Sequence, residues 1–274
     1  MSSDSALLDA QGLLAHALKK PRTWLLAHPE APLTRKQADG IEACVQRLEA
    51  GEPLPYVLGR WEFFGLEFEI TPEVLIPRPE TELLVEAALR WLRERPEQRS
   101  ALDVGTGSGC IAIALAANIP DLQVLATDIS STALKVARRN AKRLGVAGRV
   151  QFTRCDLLPW QDTLDPESGL TLAPAWDLVV SNLPYIPTAS LQELPVYGRE
   201  PALALDGGPD GLSLIRRLIT LAPTILAPGG TLLLEIEASE GSAALSLAYD
   251  VFDSASIHLH QDMAGHDRLL EVQV

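Results

Sequence analysis

The run Val179-Val180-Ser181-Asn182-Leu183-Pro184-Tyr185 places an amide, a proline-restricted peptide and an aromatic ring directly after an apolar stretch. Asn182 offers a side-chain amide oxygen as a hydrogen-bond acceptor. Pro184 confines Leu183 to an extended conformation, which fixes the aim of the Leu183 carbonyl. Tyr185 adds a flat wall. Two fixed acceptors beside a ring suit the capture of a planar NH2 group, whose nitrogen a one-carbon donor could then reach.

A second run, Ser100-Ala101-Leu102-Asp103-Val104-Gly105-Thr106-Gly107-Ser108-Gly109-Cys110-Ile111-Ala112, reads as a strand, a glycine turn and a helix start. Glycines there permit the turn and let a ligand approach the backbone. The run lacks the Gly-Lys-Ser/Thr ending of a P-loop. A dinucleotide fingerprint would carry its third glycine at the position of Cys110. The Asp-x-Gly-x-Gly-x-Gly spacing fits a cofactor without a pyrophosphate, with its adenosine and amino-acid ends over the loop. Asp128 ends the next apolar run, where an acid takes ribose hydroxyls. Asp156, after Val150-Gln151-Phe152-Thr153, suits an adenine amino group, with Leu157 packing on the ring. Strand ends at 103, 128, 156 and 182 would converge on the carboxyl edge of a parallel sheet, where ligands bind.

The elements that must position these groups follow from periodicity. Residues 5–50 carry apolar positions at helical spacing, punctuated by Pro21, Pro29 and Pro32 into three short helices. Thr34 is placed to cap the third and Gly51 to close it. Trp24 and Leu25 are expected in that small core. Residues 60–70 read as a hairpin, followed by a connector stiffened by Pro72, Pro77 and Pro79. Expected strands are 100–104, 122–127, 149–153, 176–182, 230–236, 255–260 and 268–273. Expected helices lie near 81–94, 109–117, 131–144, 211–226 and 239–248. Repeated βα units predict a seven-stranded, mostly parallel sheet with helices on both faces and an antiparallel edge hairpin. The segment 161–174 reads as a polar loop. The expected division is a helical domain over 1–75, ending in the hairpin, and a cofactor-binding domain over 76–274.

The chain has 274 residues, 47% of them hydrophobic, with a net charge of −13. That length suits one large domain with a smaller one. The acidic balance argues against a nucleic-acid surface. Three dispersed cysteines, Cys44, Cys110 and Cys155, point to free thiols in a reducing compartment. The polar N-terminus is not a secretory signal, and no apolar run has transmembrane length. His258 and His260 share a strand face without a third ligand in view, so no metal is expected. Arg138, Arg139, Lys142 and Arg143 read as a solvated helix face.

On these residues the chain resembles the release-factor glutamine methyltransferases, within the class I S-adenosylmethionine-dependent methyltransferases of Rossmann-like fold. The resemblance spans nearly the whole sequence. It includes Pro55-Tyr56-Val57-Leu58-Gly59, Glu62-Phe63-Phe64-Gly65-Leu66, Leu75-Ile76-Pro77-Arg78-Pro79-Glu80-Thr81-Glu82, Arg199-Glu200-Pro201-Ala202-Leu203-Ala204-Leu205-Asp206-Gly207-Gly208 and Ala264-Gly265-His266-Asp267-Arg268. It implies that S-adenosyl-L-methionine lies on Gly105, Thr106, Gly107, Ser108 and Gly109, with Asp128 at its ribose and Asp156 and Leu157 around adenine. Asn182, Leu183, Pro184 and Tyr185 would take the substrate amide. Of these, Asn182, Leu183 and Tyr185 form the implied catalytic set, and Asn182 bridges cofactor and substrate. The implied substrate is the glutamine of the Gly-Gly-Gln motif in peptide-chain release factors. The implied protein is a cytoplasmic monomer with no direct nucleic-acid or membrane partner.

Two positions depart from the family pattern. Leu183 stands where the family has Pro, and Glu237 where it tends to have Gly. Because the family uses mainly the carbonyl at 183, replacement of Leu183 by Pro is expected to be nearly neutral or mildly activating. Two other activities remain open on sequence alone. They are amino-methylation of DNA adenine through a similar loop, and a non-enzymatic methyltransferase-like binding protein.

Overall fold

The computed structural model describes residues 3–158 and 175–274. The polar loop expected at 161–174 lies outside the described residues. The chain forms two compact units, Met1–Trp61 and Glu62–Val274.

The first unit holds α1 (Ser3–Leu18), α2 (Arg22–Ala27), α3 (Arg35–Glu49) and α4 (Leu54–Leu58). Thr34 starts α3 with a reciprocal cap: its hydroxyl accepts from the Gln37 N–H at 3.3 Å, and the Gln37 side chain accepts from the Thr34 N–H at 2.9 Å. Such caps are worth about 1 kcal/mol. Gly51, at φ 89°, follows the last turn in the left-handed region that suits glycine. Arg47 then ties α3 to α4, donating to Glu52 and to the carbonyls of Tyr56 at 3.1 Å and Val57 at 3.2 Å. Trp24 and Leu25 do not become core residues: α2 is short, none of its residues is buried, and Trp24 stacks on His28 at 4.3 Å. Among the described residues of this unit, Leu13, Pro55, Tyr56 and Val57 are buried.

A hairpin of β1 (Arg60–Phe63) and β2 (Leu66–Glu69) carries the chain onward. Phe64 and Gly65 both take positive φ, 51° and 69°, which gives a two-residue turn matched to strand twist. The expected boundary at residue 75 is too late, because the residues before it belong to the second unit. Phe63, Phe68, Ile70 and Val74 are buried. The Glu69 N–H donates to Asn140 at 2.7 Å, and the Glu69 carboxylate pairs with Arg139 at 2.6 Å.

The second unit continues with α5 (Thr81–Glu94), β3 (Ser100–Val104), α6 (Cys110–Asn118), β4 (Gln123–Asp128), α7 (Ser131–Arg143), β5 (Val150–Arg154) and β6 (Trp176–Ser181). It ends with α8 (Thr188–Leu191), α9 (Ser213–Leu221), β7 (Leu226–Glu235), α10 (Gly241–Val251), β8 (Ser256–Gln261) and β9 (Asp267–Gln273). The strands form a seven-stranded sheet in the order β5-β4-β3-β6-β7-β9-β8. All pairings are parallel except those of β9, which runs antiparallel to both β7 and β8. The chain steps outward from β3 to β5, then returns to the other side of β3 with β6. That reversal opens a crevice at the carboxyl ends of β3 and β6. The register Val104↔Ser181 sets Gly105 and Asn182 side by side there.

Burial on both faces of the inner strands fixes the layers. Leu102, Val179, Leu232 and Leu234 of the sheet pack with Ile215 and Leu218 of α9 and Ala244 and Ala248 of α10. Seven of the residues of α6 from Cys110 to Ala116 are buried, which is why that helix reads as an apolar run without a polar stripe. Two expectations change. The helix expected over 211–226 ends at Leu221 and tightens into a 3-10 turn through Thr224, because Pro223 has no N–H to continue it, and β7 begins at Leu226. The basic stretch of α7 is not simply solvated: Arg139 and Arg143 pair with Glu69 and Glu67 of β2, and Arg138 donates to the Phe152 carbonyl at 2.8 Å.

Candidate active site

The glycine loop is held from within the protein. Gly105, Gly107 and Gly109 take φ of 75°, 55° and 83°. The N–H groups of Gly105 and Thr106 both donate to the Thr127 carbonyl, at 2.9 and 2.8 Å. Gly107 donates to Asp128 Oδ2 at 2.9 Å, while Asp128 Oδ1 accepts from the Ser130 N–H at 2.8 Å. Gly109 donates to the Thr106 carbonyl. These amides are therefore committed, and the loop offers a shape more than an anion nest. A Cβ at Gly109 would lie 2.9 Å from Ile113 Cδ1 and 3.1 Å from Ala137 Cβ, so this glycine permits the close packing of α6 on α7.

Asp103 lies fully buried beneath the loop. Its Oδ2 accepts from the Thr106 hydroxyl at 2.6 Å and from the Ala112 N–H at 3.1 Å. Burial pushes its carboxyl up to about 7, against the opposing pull of those two donors. The sequence marks Asp103 only as a strand end; the structure makes it the acid that shapes the loop.

A cavity of about 390 Å³ opens over this loop. Gly105, Thr106, Gly107, Ser108, Asp128, Asp156, Leu157, Asn182, Leu183 and Pro184 all line it, as the converging strand ends require. Gly109 and Tyr185 do not. Tyr185 is half-buried, with its hydroxyl 3.5 Å from Glu235 Oε1. Asp128 faces the cavity as a half-buried carboxylate whose pKa is raised, chiefly by burial, while the N–H donors of Ser130 and Gly107 lower it. Asp156 is more exposed and pairs with Arg217 of α9 at 2.9 Å.

Leu157 adopts φ 63°, a left-handed conformation unusual for a side chain of its size. That conformation costs roughly 1–2 kcal/mol. The Thr127 hydroxyl donates to the Leu157 carbonyl at 2.8 Å, which helps hold it in place. Strain of this kind persists where the surroundings over-determine it, and it gathers at ligand sites.

The connector and the 199–208 segment belong to the family pattern, yet nothing in their sequence marks them as part of the site. Pro77, Arg78 and Thr81 line the cavity from one segment, Pro201 and Leu203 from the other. The buried Glu200 joins them, accepting from Arg78 at 2.5 Å and from the Ile76 N–H at 3.0 Å. Arg217 and Leu214 of α9 were missed altogether. Their only advance signal is an apolar helix following a glycine turn, which does not say which residue reaches the ligand.

Asn182 has its amide orientation set. Its Nδ2 donates to the Thr81 hydroxyl at 3.0 Å, and Thr81 is only 2% exposed. Oδ1 is left as the acceptor turned to other partners. Leu183 is 4% exposed, and its Cδ2 sits 3.1 Å from where a Cβ on Gly105 would be. Its side chain thus packs against the glycine loop, which removes the basis for expecting Leu183→Pro to be nearly neutral. Glu237 is engaged by Arg268 at 3.3 Å, so the turn after β7 carries an ion pair where the family tends to have Gly.

A family profile described as the PrmC N-terminal domain matches residues 1–59, and one described as a methyltransferase domain matches residues 101–194. The release factor glutamine methyltransferase of Moorella thermoacetica is 45% identical over 262 residues, covering 95% of this chain and 89% of the relative. The chain belongs to the release factor glutamine methyltransferase family. The family member of Bordetella pertussis is 40% identical over 263 residues, covering 96% of this chain and 93% of its own. Among solved structures, a methyltransferase from Pyrococcus furiosus superposes with a TM-score of 0.52 at 17% identity, over 85% of this chain and 96% of that one, which shows the shared fold. As a family member the protein is a methyltransferase. Among the described residues, no helix is long and apolar enough to cross a membrane.

Proposed function

We propose that this protein transfers a methyl group from S-adenosylmethionine to the side-chain amide nitrogen of the glutamine in the Gly-Gly-Gln motif of release factors. The observation that carries the proposal is the anchored amide of Asn182. With Nδ2 held by Thr81, its oxygen is fixed as an acceptor at the crevice beside Gly105.

The residues of the cavity fit the cofactor by their donor set. The Asp128 carboxylate retains lone pairs for ribose hydroxyls beyond its two backbone bonds. Leu157, strained into the cavity wall, and Ile129 and Cys155 supply apolar surface for a purine, with Asp156 at its edge. The committed amides of the loop leave little for a pyrophosphate, which S-adenosylmethionine does not have. When bound, its sulfonium makes the methyl carbon electrophilic.

An amide nitrogen is a weak nucleophile because its lone pair is delocalised into the carbonyl. Asn182 Oδ1 and the Leu183 carbonyl accept the two N–H bonds of the glutamine and hold the nitrogen in line for transfer. The same acceptors stabilise the positive charge that develops on it as the nitrogen–methyl bond forms and the donor's sulfur–methyl bond breaks, as preorganised dipoles do where charge appears. One N–H proton, made acidic by that charge, then leaves to solvent. Pro184 keeps the Leu183 carbonyl aimed. Tyr185 closes the far side of the amide plane.

The first unit, with its PrmC N-terminal match, is assigned to recognition of the release factor. A free glutamine offers little binding energy, and remote contacts supply what positions the reacting group. Incubation with methyl-labelled S-adenosylmethionine and either a release factor or DNA, followed by mapping of the label, tests the whole proposal. Label on the Gly-Gly-Gln glutamine supports it. Label on adenine would assign the DNA activity instead, and no label with retained cofactor binding would leave a binding protein.

A further inference from the structure

Glu235 ends β7 one strand away from the substrate loop. The register Ser181↔Leu234 places it beside Asn182. It is 3% exposed, and its Oε2 finds no hydrogen-bond partner among the described residues. A buried carboxylate is costly unless its surroundings compensate, so a core position here would ordinarily be apolar. What surrounds it is specific. The Tyr185 hydroxyl lies 3.5 Å from Oε1, at the long end of hydrogen-bond range. Thr81 and Arg268 also favour its charged form, while burial and Glu80 oppose it. Thr81 is the same hydroxyl that accepts from Asn182 Nδ2. Tyr185 is thus tied directly, and Asn182 by strand register, to a single buried acid that does not line the cavity.

We propose that Glu235 is a positioning residue for methyl transfer: it holds the Tyr185 ring by its hydroxyl and supports the neighbouring strand end that carries Asn182, so that both substrate-facing groups are aligned as one unit. The inference rests on the roles given to Asn182 and Tyr185 under the proposed function. If the acid served only to fill the core, its replacement would change stability and leave the substrate loop's chemistry untouched. Because it acts on the loop and not on the cofactor cavity, its loss should appear in kcat alone.

The test uses Glu235→Gln, which keeps the size and one acceptor, with Tyr185→Phe and the double variant. Transfer to a release factor should show kcat lower by about tenfold or more in Glu235→Gln, with KM for the factor and Kd for S-adenosylmethionine within about twofold. Tyr185→Phe should lose a comparable factor, and the double variant should fall little further, since groups acting as a unit are not additive. Wild-type kcat in Glu235→Gln, a loss confined to cofactor affinity, or fully additive losses would overturn the inference. If Glu235→Gln does not fold, Glu235→Asp replaces it in the same cycle with Tyr185→Phe, and additive losses there overturn the inference. The side-chain amide resonances of Asn182 give a readout without turnover. They should shift between wild type and Glu235→Gln, and unchanged resonances count against the linkage. A wild-type enzyme that fails to label the release factor defeats the proposed function instead, and the resonance comparison then still decides whether Glu235 orients Asn182.

Discussion

Asp128→Ala is the substitution that most directly probes the cofactor assignment. The Asp128 carboxylate accepts from Gly107 at 2.9 Å and Ser130 at 2.8 Å and still faces the cavity. Two ribose hydroxyls can use its remaining lone pairs. A hydrogen bond to a charged group is worth roughly 1.5–3 kcal/mol, so loss of that contact should raise Kd roughly 10- to 150-fold. The Gly107 N–H is freed at the same time, which loosens the loop and places the expected value toward the upper end. Calorimetric titration with both S-adenosylmethionine and S-adenosylhomocysteine separates two causes. The ligands share a ribose, but only the first carries a sulfonium charge. Equal losses for both identify ribose contact. Affinities within twofold of wild type would refute the reasoning, and a loss confined to S-adenosylmethionine would make Asp128 a counter-charge in place of a ribose ligand.

Asn182→Ala should fold normally and lose on the order of 10²-fold or more in turnover, by analogy with the loss of a preorganised oxyanion-hole donor; near-normal kcat would move the chemistry elsewhere. Leu183→Pro should lower stability by about 1–3 kcal/mol, because it removes buried side-chain volume against Gly105; an unchanged urea midpoint would show that this packing contributes nothing. Gly109→Ala combines a left-handed φ of 83° with a Cβ 2.9 Å from Ile113 Cδ1, and should cost roughly 2–5 kcal/mol in the same assay; a loss under about 1 kcal/mol would mean that α6 and α7 can part cheaply. Burial pushes Asp103, Glu235 and Glu240 each up to about 7. Unfolded carboxyls titrate near 4, so stability present at low pH is lost as pH rises from about 4 through about 7. The urea midpoint should therefore be higher at pH 5.5 than at pH 7.5, and the reverse order would contradict the assignment of these three acids.

The sheet was legible because its strands are short apolar runs closed by polar residues, and burial on both faces leaves such runs little freedom in register. The placement of Asp128, Asp156 and Asn182 around one cavity followed from that regularity alone. What escaped was anything decided by side-chain reach. The pairing of Arg217 with Asp156 and of Arg139 with Glu69 joins segments far apart in sequence, and no local pattern announces either. The inward turn of Leu183 escaped for a different reason. A role carried by its backbone carbonyl says nothing of the side chain, although an apolar residue beside a glycine loop has a hydrophobic reason to bury itself. The unit boundary shifted from 75 to 61 because a hairpin's faces do not reveal which neighbour will cover them.

The pairing of β3 with β6 also bears on how the protein is made. Ser181 donates to the Val104 carbonyl across a separation of 77 residues, whereas β3, β4 and β5 join through neighbouring helices. Closing so long a loop is entropically dearer than forming local βα units, and non-local contacts slow folding. A nascent chain that has emerged only through β5 would carry the glycine loop and Asp128 without Asn182 beside them. The half of the crevice assigned to the cofactor can therefore assemble during synthesis before the half assigned to the substrate, and methyl-transfer competence arrives only when β6 threads in next to β3.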